Sequence, residues 1–163
     1  PTELDVPLDF DSMRQVGSGL GSAGFAAFDD SACMVRAAHL YSRFLYVESC
    51  GQCPACKFGT GETTRLLAEV ESERASDQSV ESILIRARGS TDGQKCALPT
   101  GESLLIQSLV QVFANEFRGH VGRACPLPRE LVFHKIVDWD AANDRFVYDE
   151  SYQRKRPDWT YAP

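Results

Sequence analysis

Long apolar runs are missing from this sequence. Its uncharged stretches, Val16–Phe28 and Ser103–Asn115, fall well short of the roughly 20 residues a helix needs to cross a bilayer, so no direct membrane insertion is expected. A positive excess is missing too: 17 Lys and Arg face 23 Asp and Glu, a formal net charge of −6. Nucleic acid and anionic lipid both want a basic face, so neither is expected as the main partner. Histidine is scarce: His39, His120 and His134 lie far apart with no H-x-x-x-H spacing, and each reads as a surface or satisfied core histidine. The chain also lacks a nucleophile elbow, a phosphate loop ending in Gly-Lys-Ser/Thr and a convincing acid–base pair. A self-contained catalytic centre is therefore not expected. No basic-then-apolar segment opens the chain, so no secretory signal is expected and the location reads as cytoplasmic, at most at the cytoplasmic face of a membrane complex.

What the chain does have is an apolar fraction of 43% over 163 residues, enough for one domain with an appendage, and six cysteines placed unevenly. Cys50, Cys53 and Cys56 form a C-x2-C-x2-C run, Cys96 follows 40 residues later, and Cys33 and Cys125 stand apart. A secreted disulfide framework spreads its cysteines to staple distant loops; clustering at two-residue gaps reads as metal ligation. Three thiolates on one tight loop can wrap one corner of a [4Fe–4S] cubane, and the fourth iron needs a ligand from elsewhere, which Cys96 can supply. Gly51 and Pro54 suit a loop that bends sharply, with Gly59 and Gly61 keeping its exit open. Two alternatives stay open on spacing alone. Zinc usually takes two separate C-x2-C pairs, whereas the partition here is three and one, and free buried thiols require a coincidence of spacing. Cys33 and Cys125 read as small core hydrophobes.

The pattern divides the chain into three parts. Residues 1–30 combine an extended Pro1–Phe10, a short helix over Ser12–Val16 capped by Asp11 or Ser12, a glycine-rich loop and a short buried strand at Phe25–Phe28. Residues 31–125 read as a helical bundle. Helices are expected from Ser31 (capped by Asp30) to about Glu48, and over Glu62–Arg74, Ser79–Arg88 and Glu102–Arg118. The last carries Ile106, Leu109, Val110, Phe113 and Phe117 on one stripe, while Glu69, Glu71, Glu73 and Arg74 read as a solvated face. Residues 126–163 suggest a hairpin, Leu131–Trp139 against Arg145–Tyr148, and a polar docking tail over Tyr152–Pro163. The fold class is mainly α.

Gly19-Leu20-Gly21-Ser22-Ala23-Gly24 matches G-x-G-x-x-G. Dinucleotide binding needs a strand before these glycines and a helix after them. The order expected here is the reverse, so a tight packed loop is the better reading.

The run Glu48-Ser49-Cys50-Gly51-Gln52-Cys53-Pro54-Ala55-Cys56-Lys57, followed by Gly59-Thr60-Gly61, resembles the cluster-binding segment of the NADH- and FMN-binding flavoprotein subunit of respiratory complex I. The same module occurs in NAD-linked hydrogenases and formate dehydrogenases. Asp5–Ser12 through Gly19–Gly24 resembles the end of that subunit's soluble-ligand-binding β-grasp (SLBB) domain. Cys96-Ala97-Leu98 and Phe113–Phe117 resemble its fourth-ligand segment and following helix. The resemblance implies a [4Fe–4S] cluster on Cys50, Cys53, Cys56 and Cys96 within a four-helix bundle. It further implies one-electron relay from FMN, which takes hydride from NADH, toward a thioredoxin-like [2Fe–2S] subunit and a downstream iron–sulfur subunit. The family's FMN and NADH motifs are not in these residues, so both cofactors are expected on another portion or a partner chain. Other departures are local: Pro54 stands one place before the family's usual proline, Lys57 replaces an arginine, and Glu62 stands where tryptophan is common. The competing function is a non-redox assembly module stapled by a four-cysteine zinc site or a structural cluster.

Overall fold

The computed structural model describes residues 2–127, 131 and 136–150. Among them lie six α-helices and one antiparallel pair of strands, so the chain is mainly α.

The first helix, α1 (Phe10–Gln15), is a single exposed turn and a half capped by Asp9, whose carboxylate accepts from the backbone N–H of Asp11 at 3.0 Å and of Ser12 at 2.8 Å. The cap thus falls two or three residues before the expected Asp11 or Ser12. Thr2–Asp5 winds into a 3-10 turn where extended chain was expected. The strand expected at Phe25–Phe28 does not form, and Phe25 is 69% exposed. A strand needs a neighbour to take its backbone hydrogen bonds, and no described strand lies beside this segment. The glycine loop therefore leads into irregular chain.

The bundle begins at α2 (Met34–Glu48). It starts later than expected because Asp29 holds Ser31 in a local turn, accepting from its N–H at 3.0 Å. Cys33 takes over as N-cap, its sulfur accepting from Arg36 N–H at 3.4 Å. The second bundle helix, α3 (Pro54–Glu71), starts eight residues before the expected Glu62. Pro54 sits in its first turn, where proline's missing N–H has no helical partner to lose. Then come α4 (Asp77–Gly89), α5 (Leu98–Val112) and α6 (Ala114–Gly119). The single helix expected over Glu102–Arg118 is interrupted at Phe113, where φ −105° and ψ 30° end α5. The interruption re-aims α6: Phe117 is fully buried while Phe113 and Val112 face outward.

Short loops make successive helices antiparallel, and cross-helix contacts fix their register. Ser42 on α2 meets Thr64 on α3, and Arg88 on α4 donates to Gln107 on α5 at 2.8 Å. Helix α2 also packs on α5, closing the four into a bundle, with α6 laid across α2, α4 and α5. Leu67, Ile83, Ile106 and Phe117 are completely buried at its centre, each stabilising the fold by roughly 1.5–3 kcal/mol.

Gly59 does not open a loop exit; it lies inside α3, against the end of α4. A Cβ there would sit 2.8 Å from Ser90 Cβ and 2.9 Å from Ser90 Cα. Gly101, inside α5, has nothing within 4 Å of the same position. Gly59→Ala should therefore destabilise the protein by about 1–3 kcal/mol. Gly101→Ala should leave it unchanged or stabilise it by about 0.4–1 kcal/mol. Denaturant midpoints of the two variants, measured side by side, check the contrast.

Beyond the bundle, β1 (Ile136–Asp140) pairs antiparallel with β2 (Arg145–Tyr148), with Trp139 opposite Phe146 and their rings 4.9 Å apart. This is the core of the expected hairpin. Residues 132–135, with His134, and the expected docking tail Tyr152–Pro163 lie outside the described residues. Among the described residues no helix is long and apolar enough to cross a membrane.

Candidate metal centres

The two cysteine-bearing loops lie at the same end of the bundle. The α2–α3 loop carries Cys50, and the α4–α5 loop carries Cys96. Antiparallel packing returns the chain to that end between them, and the contact of Gly59 with Ser90 locks the start of α3 against the end of α4. Cys50 is exposed, Cys53 half-buried, Cys56 buried and Cys96 exposed.

Local chemistry explains the shape of the first loop. Gly51 takes φ +79°, in the left-handed region where a side chain is strained. The chain can therefore turn back within two residues of Cys50. Cys53 is the N-cap of α3 in extended conformation, with no side-chain capping bond of its own. Cys56 lies in the first turn, its sulfur 3.4 Å from Ser49 Oγ. Lys57, which replaces the arginine of the resemblance, donates from Nζ to the carbonyls of Tyr46 at 2.8 Å and Ser49 at 3.2 Å, and sits 4.4 Å from the Tyr46 ring centroid. A cation on the last carbonyls of α2 is placed where the helix dipole favours it. It also ties the cysteine loop to the helix before it. On the other loop, Thr100 Oγ1 donates to Gln94 Oε1 at 2.8 Å, bracing the segment that holds Cys96.

The N-termini of α3 and α5 begin just after Cys53 and Cys96. The first backbone N–H groups and positive dipole end of a helix favour an anionic group. Thiols are the ligand type an iron–sulfur cluster takes, but among the described residues the sulfurs of Cys50, Cys53, Cys56 and Cys96 are not gathered into a metal-ligating group; the fold carries them on two loops at one end of the bundle.

A second group was not visible in the sequence. Cys33 Sγ lies 3.4 Å from His120 Nε2, and these two atoms and Cys125 Sγ all lie within 4.8 Å of one another. Cys33 does pack in the core, as expected, but its sulfur faces two other potential ligands. Burial pushes its thiol up to about 12, an effect the Arg36 N–H bond opposes and the neighbouring Cys125 reinforces. His120 is likewise buried.

Two acidic residues also differ from expectation. Glu71 does not belong to a solvated face: it pairs with His39 Nδ1 at 2.6 Å and Arg36 at 3.2 Å. The His39 hydrogen bond, with the charges beside it, holds the Glu71 carboxyl below its usual range. Glu102 is fully buried, accepting from Ser42 Oγ at 2.7 Å on one oxygen, with no hydrogen-bond partner on the other. Burial pushes its pKa up to about 8.

Residues 36–120 match the family model described as the NADH-ubiquinone oxidoreductase-F iron-sulfur binding region. The stretch contains Cys50, Cys53, Cys56 and Cys96, ends on His120, and leaves Cys33 and Cys125 outside. The chain is 36% identical over 125 residues to an NADH-quinone oxidoreductase F subunit of Rhizobium meliloti, covering 76% of this chain and 30% of that protein. It is 33% identical over 129 residues to the corresponding NADH-quinone oxidoreductase protein of Mycobacterium tuberculosis, covering 78% of this chain and 29% of the relative. With that of Streptomyces coelicolor the identity is 34% over 124 residues, 76% of this chain and 28% of the relative. The matches thus span about 30% of the length of these curated relatives.

Proposed function

The chain belongs to the family of the NADH-ubiquinone oxidoreductase-F iron–sulfur binding region, and from that membership we propose that it relays single electrons through one [4Fe–4S] cluster held by Cys50, Cys53, Cys56 and Cys96. The observation that supports this reading is the match of residues 36–120 to the iron–sulfur binding region, a stretch that contains all four cysteines. When bound, the cluster supplies reversible one-electron transfer with no bond chemistry.

The chain's own residues supply the setting. Gly51 and Pro54 shape the loop, and α3 and α5 start just after Cys53 and Cys96. Lys57 fastens the loop to α2, and burial of Cys56 shields one corner from water. Such hydrogen bonds and exclusion of water are what tune a cluster's potential.

Electrons would arrive from FMN, reduced by NADH, on another portion or a partner chain, and would leave toward a thioredoxin-like [2Fe–2S] subunit and a downstream iron–sulfur subunit. In this reading residues 31–125 are the relay domain, residues 1–30 are the end of an SLBB domain without its partner strands, and residues 126–163 are an attached hairpin and tail.

NADH gives up a two-electron hydride, whereas a cluster takes one electron at a time, so a flavin must stand between them. The cluster-loaded chain alone should be bleached by dithionite with uptake of about one electron, and it should remain oxidised in excess NADH. An anaerobic optical titration reads both. Reduction by NADH without added flavoprotein would refute the relay reading.

A further inference from the structure

We propose that Cys33, His120 and Cys125 form a second, separate metal site that takes a single zinc ion. It would staple the start of α2 to the chain leaving α6.

The donor set and its surroundings carry the proposal. Two thiols and an imidazole suit zinc, and on a tetrahedral ion such donors stand about 3.5 Å apart. The Cys33–His120 pair is already at 3.4 Å and the whole trio lies within 4.8 Å, so binding needs only a small contraction. The histidine is set for it. His120 Nδ1 lies 2.9 Å from the Glu116 carbonyl, which can only accept; Nδ1 therefore carries a hydrogen, and Nε2 is the ring nitrogen that faces Cys33. A backbone carbonyl fixing the remote nitrogen is the usual outer partner of a zinc-bound imidazole. Cys33 Sγ receives the Arg36 N–H at 3.4 Å, and Cys125 Sγ both receives the Leu127 N–H at 3.4 Å and donates to the Leu127 carbonyl at 3.2 Å.

Three protein ligands leave the fourth tetrahedral position to water or to the nearby Glu116, whose carboxylate accepts from Met34 N–H at 2.8 Å. Zinc entry releases both thiol protons to solvent and changes no oxidation state, so no oxidant is needed. The trio contains none of Cys50, Cys53, Cys56 and Cys96, and Cys33 and His120, 87 residues apart, are joined only by the fold.

The test uses the full chain with its iron–sulfur cluster assembled, so that Cys50, Cys53, Cys56 and Cys96 are occupied. Metal analysis after desalting from zinc-containing buffer should find about one zinc per chain beside the iron. The double variant Cys33→Ser/Cys125→Ser should retain less than about a tenth of that zinc with its iron intact. To guard against a variant that fails to fold, cobalt(II) is added to the unaltered cluster-loaded chain. A tetrahedral cobalt spectrum with thiolate charge-transfer bands, removed by one equivalent of zinc, is expected. Absence of zinc and of that spectrum, a Cys33–Cys125 disulfide in the folded chain, or zinc retained by the double variant would each overturn the proposal.

Discussion

Replacing Cys96 with serine is expected to reduce bound iron from about four atoms to about three or fewer per chain and to abolish the native reduced signal. Cys96 is exposed, on the segment between α4 and α5, and takes no part in the bundle core. Helical content should therefore persist while the metal is lost, so the effect is on ligation and not on packing. Metal affinity and local folding are coupled, so the loop around Cys96 should become more susceptible to proteolysis in this variant. Cys33→Ala is the matching control: it disturbs the core yet should leave iron unchanged. Iron analysis with EPR after dithionite reduction checks both. Full iron with an unaltered spectrum in Cys96→Ser would show that the fourth ligand is another residue.

The second large effect is a loss of stability on raising the pH, traced to Glu102. Its carboxyl is buried, with an ordinary pKa of 4.5 raised to about 8 in the fold. The hydrogen bond that Ser42 Oγ donates to Glu102 at 2.7 Å opposes this shift, and burial outweighs it.

Between the two pKa values the folded chain holds a proton that the unfolded chain has released. Stability therefore falls as pH rises from about 4.5 to about 8 and levels off above that. At ~1.4 kcal/mol per unit, the full loss is on the order of a few kcal/mol. Glu102→Gln keeps the shape and one hydrogen-bond donor, so its denaturant midpoint should be nearly flat over the same range and should exceed the parent's above about pH 8. Equal slopes for parent and variant would show that the pH dependence arises elsewhere.

Much of this was legible in the sequence, and the exceptions have physical causes. The apolar periodicity of Ala37, Ala38, Leu66, Leu67, Ile83 and Ile106 announces a helical bundle because each helix buries one face. The C-x2-C-x2-C run announces a metal site because its spacing is local. The early start of α3 was hidden by Gly59 and Gly61, which signal a loop when read alone. Their purpose is close approach, to Ser90 and to the Tyr46 ring. The break at Phe113 was equally hidden, since the stripe from Ile106 to Phe117 fits one straight helix. A strand at Phe25–Phe28 looked reasonable from residue type, but strand formation depends on a neighbour that composition cannot supply. The Cys33–His120–Cys125 group had no sequence signature beyond a histidine five residues before a cysteine, because its third member arrives through tertiary packing.

The most direct measurement is the metal and sulfide content of the purified chain, combined with EPR before and after dithionite. About four irons and four acid-labile sulfides, with a signal that appears only on reduction, are expected if Cys50, Cys53, Cys56 and Cys96 hold a redox-active [4Fe–4S] cluster. Zinc bound by those four cysteines, with no sulfide and no reducible signal, would contradict it and leave a structural staple in place of an electron relay.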